Sequence, residues 1–406
     1  MNSTKKFKTS SFLLVLTLIS SSLILIKSGF NSFPIQFNDN ISYFLSILFT
    51  LILLIFTIPY LKRKHLIDSI LKSPFYFLFL STICIQYIFH LLFGLSEIYS
   101  VAKLFSFISV GFYFYYVFPL LIKIDYKYLK IWMKYLLYFS VFCSIIAILG
   151  VFEFNPFFEW NTFDEKFYLF MTLRSTASIL FEPNIFAYLL LISFAINDII
   201  IKNLKLKYLL AIILISGLIF SYSRGAWLCI FAYIFLKFFF KSKYKFSILV
   251  ITIISLLTLS IFFISNPLLV EILMLDNPLT GRLFLWQESI KLGLENFMWG
   301  FGFSNDRINN FFLKLGFNYT TSHNIFIDMY LFSGIFGTIF YMLAFIFPLT
   351  KFRLQSDNNK IKFLSLSLAI LLFLQFSPHN IGGASFSAIS TAIIFGFMNL
   401  NYQYER

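Results

Sequence analysis

Apolar runs of 15 to 25 residues recur from one end of the chain to the other, separated by short polar connections rich in lysine. Runs of this kind suit helices that cross the hydrocarbon core of a bilayer. The pattern predicts twelve spans, at approximately 10–27, 42–61, 74–95, 101–122, 131–152, 176–199, 207–223, 225–240, 246–265, 324–349, 363–377 and 384–400. The short alternating segments of a transmembrane barrel are not present. The expected fold class is therefore an all-α polytopic membrane protein with about twelve transmembrane helices. Two connections on one side are long: Glu153 to about Ser175, and Asn266 to His323. Loops of that length are usually functional or disordered, and the second holds Trp286, Trp299 and many phenylalanines, which argues against disorder. The chain thus divides into spans one to nine (1–265), a long outer loop (266–323) and spans ten to twelve (324–406).

Inside that loop the periodicity changes to that of a short helix. Thr280 suits an N-cap, and Leu283, Trp286, Ile290, Leu294 and Phe297 recur at helical spacing. Gln287, Glu288 and Lys291 fall on the other side, so a helix lying on the membrane surface is expected. Gly300 and Gly302 mark a turn after it.

Composition agrees with the pattern. The chain is 59% hydrophobic and 12% charged, about half the charge of a soluble domain. Cys84, Cys143 and Cys229 all lie within apolar runs and read as buried small residues, not as a disulfide framework. The net charge of +14 does not indicate nucleic acid, because the excess sits in short loops between spans. Cytoplasmic loops carry such lysine excess, which places both termini in the cytoplasm. Lys5-Lys6-Phe7-Lys8 before the apolar run Phe12–Ile26 imitates a signal peptide. Without a small-residue cleavage site after it, an uncleaved first span is the expectation.

This orientation sorts the cations by type. Nine fall on the outer side, and four of those are arginines: Arg174, Arg224, Arg282 and Arg307. On the inner side only Arg63, Arg353 and Arg406 are arginine. Guanidinium grips phosphate bidentately, so the bias suggests a phosphate-bearing substrate at the outer surface. Each position also has a plainer reading. Arg224, in Ser221-Tyr222-Ser223-Arg224-Gly225-Ala226-Trp227, could snorkel to headgroups, although Gly225 and Ala226 leave room for a ligand. Glu182 before Pro183-Asn184 could serve a helix dipole, or form with Asn184 a polar pair turned toward a sugar or an arginine. Arg282 opens a helix, where the dipole disfavours a cation.

His323, in Ser322-His323-Asn324-Ile325-Phe326-Ile327-Asp328, stands where the long loop re-enters the membrane. Neutral imidazole is the natural general base near neutral pH. His379-Asn380 is a competing pair, and His90, inside an apolar span, reads as packed. No Asp-x-Asp metal clamp, P-loop or Cys/His metal spacing occurs in the chain. No cofactor is expected, and a leaving pyrophosphate would be stabilised by cations. A twelve-span flippase would carry midplane charges and internal repeats, neither of which is visible.

Three stretches resemble the O-antigen polymerase/ligase superfamily of bacterial surface-glycan assembly. The first is Arg174 followed by Glu182-Pro-Asn-Ile-Phe-Ala187, and the second is Ser221-Tyr-Ser-Arg-Gly-Ala-Trp-Leu228. The third is Gly281-Arg282-Leu-Phe-Leu-Trp286 through Glu295-Asn-Phe-Met-Trp-Gly-Phe-Gly302, then His323-Asn324 and Gly334-x-x-Gly337. The resemblance implies a metal-independent, inverting glycosyltransferase of the bacterial inner membrane, with a periplasmic active site. Its donor would be a glycan on undecaprenyl pyrophosphate. The acceptor would be a lipid-linked repeat unit for a polymerase, or lipid A core for a ligase. Membrane lipids, and for a polymerase a chain-length regulator, complete the partners. His323 would be the general base, and Arg174, Arg224 and Arg282 would hold the pyrophosphate. Glu182, Asn184, Asn324 and Arg307 are weaker candidates for orienting substrate.

Overall fold

The computed structural model describes residues 48, 50–55, 57, 63–92, 98–124, 127–151, 162–168, 171–176, 183–245, 247–250, 252, 282–302, 306–316, 321–351, 358–376 and 386–399. Expected spans 10–27 and, in the main, 246–265 fall outside them, as do the loop residues 266–281, Glu182 and His379.

The described chain is helical apart from one hairpin. Helices α1 (Arg63–Lys72), α2 (Pro74–Leu92), α3 (Ile98–Phe112), α4 (Phe118–Ile124) and α5 (Lys127–Val151) come first, with a π-helical turn Tyr113–Val117 between α3 and α4. Strands β1 (Thr162–Tyr168) and β2 (Met171–Thr176) follow, then α6 (Pro183–Ile200), α7 (Leu204–Phe220) and α8 (Arg224–Lys241). The last elements are α9 (Arg282–Leu294), α10 (Asp306–Lys314), α11 (Ile325–Lys351), α12 (Asn358–Leu374) and α13 (Phe386–Asn399). Nine of the expected spans coincide with these helices. By length and hydropathy, Tyr128–Leu149 and Ile325–Thr350 can each cross a membrane. His65–Lys72 and Pro74–His90, bent by 86° at their junction, add a third if they form one span. Pro74 sits at the bend, where its ring suits the first turn of a new helix and ends the old one.

The hairpin corrects the reading of 153–175 as a loop. β1 and β2 pair antiparallel, with Glu165 opposite Arg174 and an irregularity between Phe163 and Glu165. The segment Thr162-Phe-Asp-Glu-Lys-Phe-Tyr168 alternates bulky apolar and charged residues only partly, which hid its period of two. Consequently α6 starts at Pro183, later than the expected 176.

The chain forms two compact units. The first combines 1–135, 286–353 and 374–406. In it α2 runs antiparallel to α11: Phe75 meets Phe347 at 4.9 Å and Phe79 meets Tyr341 at 4.7 Å, ring centre to ring centre. Phe345 stacks edge-on against Phe395 of α13 at 4.9 Å. The π turn has a cause in Pro119, which has no N–H to return to the Tyr115 carbonyl four residues earlier. Its Tyr115 hydroxyl donates to the Ala344 carbonyl (2.7 Å) and accepts from Asn399 Nδ2 (2.7 Å), tying α11 and α13 to the turn.

The second unit combines 136–285 and 354–373. Here α6, α7 and α8 form an antiparallel set. Ser193 of α6 meets Ser140 of α5 at 2.5 Å, and Tyr188 meets Phe373 of α12 at 5.1 Å. Gly217 admits α7 close to Ser144 and Leu190, where a Cβ would lie 2.6 Å from Ser144 Oγ. Large apolar side chains on α7, such as Leu209, Ile212 and Ile219, remain exposed to the surroundings, as expected of a lipid-facing helix surface.

Candidate active site

The Ser221–Trp227 motif forms the turn between α7 and α8. The last amides of α7 fold back, with Ser221 N on Gly217 O (3.0 Å) and Tyr222 N on Ile219 O (3.2 Å). Tyr222 takes φ +51°, a left-handed value that costs a non-glycine residue roughly 1–2 kcal/mol. Trp227 Nε1 donates to the Leu218 carbonyl (3.0 Å), closing the turn from the other side. Ser223 occupies the N-cap position of α8, yet its hydroxyl does not cap the helix. It donates instead to Asn184 Oδ1 (3.0 Å) at the start of α6. Thus two of the sequence motifs meet in the second unit: Asn184 is bound to the residue next to Arg224. Arg224 is the first residue of α8 and half-buried. Arg174 lies on β2, which runs alongside α7. Arg282 opens α9, half-buried, as expected.

The third motif is one interlocked structure in the first unit. α9 forms as expected, but its buried positions are Leu285, Ser289 and Leu292, while Leu283, Ile290 and Leu294 are exposed. The stripe assigned from spacing is thus the outward one, available to a membrane surface. Gly293 lies against the Tyr330 ring of α11, and Phe297 stacks on the same ring at 6.2 Å. The turn 296–302 then exchanges backbone bonds with α11 itself. Phe301 N donates to Leu331 O (2.7 Å), Gly302 N to Phe332 O (2.9 Å), and Ile335 N to Phe297 O (2.9 Å).

That exchange is possible because α11 is broken at Gly334 (φ +65°, ψ −169°), a conformation open essentially to glycine alone. A Cβ on Gly334 would strike the Met298 carbonyl, and one on Gly300 would strike the Gly334 amide. The Trp-Gly-Phe-Gly and Gly-x-x-Gly pieces, with Gly302 and Gly334 32 positions apart in sequence, therefore belong to one joint. Gln86 of α2 completes it, donating through Nε2 to Trp299 O and to Phe332 O. One turn on, the His90 ring lies beside Gly302, 2.9 Å from where a Cβ would stand. Neither residue stood out in the sequence as part of the site. The signal was available: Gln86 and His90 are polar residues four apart in a mainly apolar helix, and so share a face.

His323 sits just before α11, at φ +56°. With Tyr222 it makes up the non-glycine residues in the left-handed region among those described. Its neighbours pin the corner. Asn324 is the N-cap of α11, its Oδ1 accepting from Phe326 N (3.0 Å) and Ile327 N (3.4 Å), and its Nδ2 donates to Gln375 Oε1 (3.2 Å). Asp328, fully buried, accepts from Ser322 N through Oδ1 (2.6 Å), while its own amide donates to Asn324 O (2.9 Å). Trp286 Nε1 donates to Ser322 O (2.9 Å), so α9 is anchored to the same corner. Asp328 Oδ2 is buried without a hydrogen-bond partner among the described residues, and His323 Nδ1 is buried as well. The Asn324 side chain is thus engaged by the protein in capping. Arg307 is exposed on α10, paired with Glu295 and placed over the Phe301 ring at 5.2 Å.

His323, Asn324 and Arg307 therefore belong to the first unit, and Arg174, Asn184, Arg224 and Arg282 to the second. Residues 209–342 match the family model Wzy_C, described as O-Antigen ligase. The matched stretch contains Arg224, Arg282, Arg307, His323, both left-handed corners and the Gly334 joint; Arg174 and Asn184 precede it. The match supports a likeness of residues 209–342 to the O-antigen polymerase/ligase superfamily. No curated protein matches the chain.

Proposed function

We propose that this protein polymerises a surface polysaccharide, O-antigen or capsule, at the periplasmic face of a bacterial inner membrane that it crosses twelve times. The observation that carries the reading is the pinned, left-handed His323 at the start of α11, within the matched family stretch. A general base must be held in place, and a fixed backbone corner tied by Asn324, Asp328 and Trp286 meets that requirement.

In this reading the donor is a glycan on undecaprenyl pyrophosphate and the acceptor is a lipid-linked repeat unit. His323 takes the proton of the acceptor hydroxyl as its oxygen bonds to the donor's anomeric carbon. The bond from that carbon to the phosphate oxygen breaks, with inversion. The pyrophosphate leaves as an anion, and Arg174, Arg224 and Arg282 hold its charge. No metal or cofactor takes part. Asn184, Asn324 and Glu182 act as orienting residues; Asn184 works through Ser223 beside Arg224, and Asn324 through the placement of His323. Arg307 makes its contribution from the rim, beside Glu295.

The description of the matched family supports a second reading, a ligase that moves the glycan to lipid A core. Purified protein given a lipid-linked donor together with each acceptor separates the two. A ladder of products on lipid-linked units is the expected outcome. Transfer to lipid A core with no ladder would replace polymerase by ligase.

A further inference from the structure

The end of the α6–α8 set remote from Arg224 carries a second cationic site, built from lysines. α6 delivers Asp198 there, and three ammonium groups surround it. Lys207 Nζ lies 2.5 Å from Oδ1, Lys237 Nζ 3.1 Å from Oδ2, and Lys362 Nζ 3.6 Å from Oδ2. Lys207 and Lys362 also donate to the Asp198 carbonyl, at 3.0 and 2.6 Å, and the Tyr233 hydroxyl donates to Oδ2 at 3.0 Å. These residues come from α6, α7, α8 and α12, all in the second unit.

Charge does not balance here. Among the described residues three ammoniums face one carboxylate, and their side chains are only 10–23% exposed. Like charges gathered away from water repel with little screening, so one carboxylate leaves an excess of two. An ion cluster serving only to join helix ends would be better served by a second acid. A second observation concerns Asn197. Its Nδ2 donates to the Lys207 carbonyl (2.9 Å), while its Oδ1, buried, has no partner among the described residues. An acceptor is therefore open beside the excess cations. Leu204, Leu206, Tyr208 and Phe238, large and exposed, flank the same end, so the lysines stand where an apolar helix surface gives way to polar residues.

The geometry points to a binding site for a phosphate-bearing anion at this end, with a phospholipid headgroup as its occupant. The lysines hold the phosphodiester, and a headgroup hydroxyl, as in phosphatidylglycerol, donates to Asn197 Oδ1. The acyl chains lie along the exposed apolar face of α7. The site is about 20 Å along the helices from Arg224, counted as 13 residues between Arg224 and Lys237. It does not depend on the glycosyl-transfer reading.

The test uses the full chain, purified in detergent and titrated with phosphatidylglycerol, with phosphatidylcholine of the same acyl chains, and with inorganic phosphate. Retained lipid is counted by native mass spectrometry, and thermal unfolding is followed in parallel. Phosphatidylglycerol is expected to be retained and to protect, and phosphatidylcholine is not. In Lys237→Gln the affinity should fall about fivefold, the effect of one lysine near a headgroup. Protection by inorganic phosphate at equal concentration would keep the anion site and make free phosphate its occupant. Equal retention of both lipids, or a folded Lys237→Gln variant that binds as the wild type does, overturns the proposal. Asp198→Asn raises the excess charge and should tighten binding; a folded variant that binds more weakly also counts against it.

Discussion

Among the described residues, two corners hold a non-glycine residue in the left-handed region, and they are built in opposite ways. The Tyr222 corner is a tight turn between antiparallel helices, closed by backbone bonds within α7 and by Trp227 on Leu218 O. The His323 corner stands before a broken helix and is pinned by side chains, near ones from Asn324 and Asp328 and distant ones from Trp286 and Gln375. In the first, the residue with the unusual backbone is a neighbour of the group proposed to hold the pyrophosphate, Arg224. In the second, it carries the proposed base itself. A turn can present a cation on a long flexible side chain with modest accuracy, whereas an imidazole acting as base must be aimed to within a fraction of an ångström. The difference teaches where rigidity is needed, and it can be broken experimentally at either corner.

The largest effect is expected at His323. In His323→Ala, glycan extension should be lost while membrane insertion is unchanged, read from glycan ladders and membrane immunoblots of complemented cells. His323→Asn is the sharper variant, because asparagine tolerates the left-handed backbone and so removes the base without disturbing the corner. General-base loss corresponds to about 10²–10⁴-fold in rate. Long glycan retained in both variants would remove His323 as the base.

Arg224→Lys comes next. Lysine keeps the charge but not the bidentate fork, and loss of one oriented donor to a developing anion costs roughly 10²–10³-fold. Transfer rates of purified protein at saturating donor would show it. A rate within a fewfold of wild type would make Arg224 a headgroup contact instead, and the Tyr222 corner a purely structural turn.

Gly334→Ala acts on stability before activity. Its Cβ meets the Met298 carbonyl in a backbone conformation that alone costs a non-glycine residue about 1–3 kcal/mol. Less folded protein in the membrane, or a clearly lower unfolding temperature, is the expected result. Were the joint between 296–302 and α11 only incidental, the variant would accumulate and unfold as the wild type does.

Much of this was legible in the sequence, and the gaps have physical causes. Span starts at Pro74, Arg224 and Ile325 were close to the expected ones, because proline, a tight polar turn and an N-cap asparagine are local signals. The order of the motifs could be read as well, and residues 209–342 match the family it suggested. What escaped depends on contacts between distant segments. No local pattern says that Gly302 N will bond Phe332 O, or that Gln86 will bridge Trp299 and Phe332. The exposed α9 stripe Leu283, Ile290 and Leu294 agrees with a face turned to a membrane surface, but periodicity did not say that Leu285 and Leu292, off that stripe, would be buried in the protein. The lysine cluster is hidden in the sequence because Asp198 and Lys237 fall within expected spans, while Lys207 and Lys362 lie at the edges of two separate loops.

The smallest expected effect closes the comparison. Tyr222→Asn places at the turn the same residue that His323→Asn places at the pinned corner. Asparagine is among the few residues that adopt the left-handed region at low cost, so relief of strain offsets the lost ring contacts, and unfolding should shift by no more than about 1 kcal/mol. Ser223 still reaches Asn184, and Arg224 still opens α8, so extension should proceed at close to the wild-type rate. One substitution at two backbone positions of like conformation then gives two outcomes, silence at one and loss at the other. That contrast would come from side-chain chemistry, since the backbone requirement is met equally at both. If Tyr222→Asn instead stops extension in folded protein, the tyrosine ring takes part in the site, and the turn is more than a mount for its arginine.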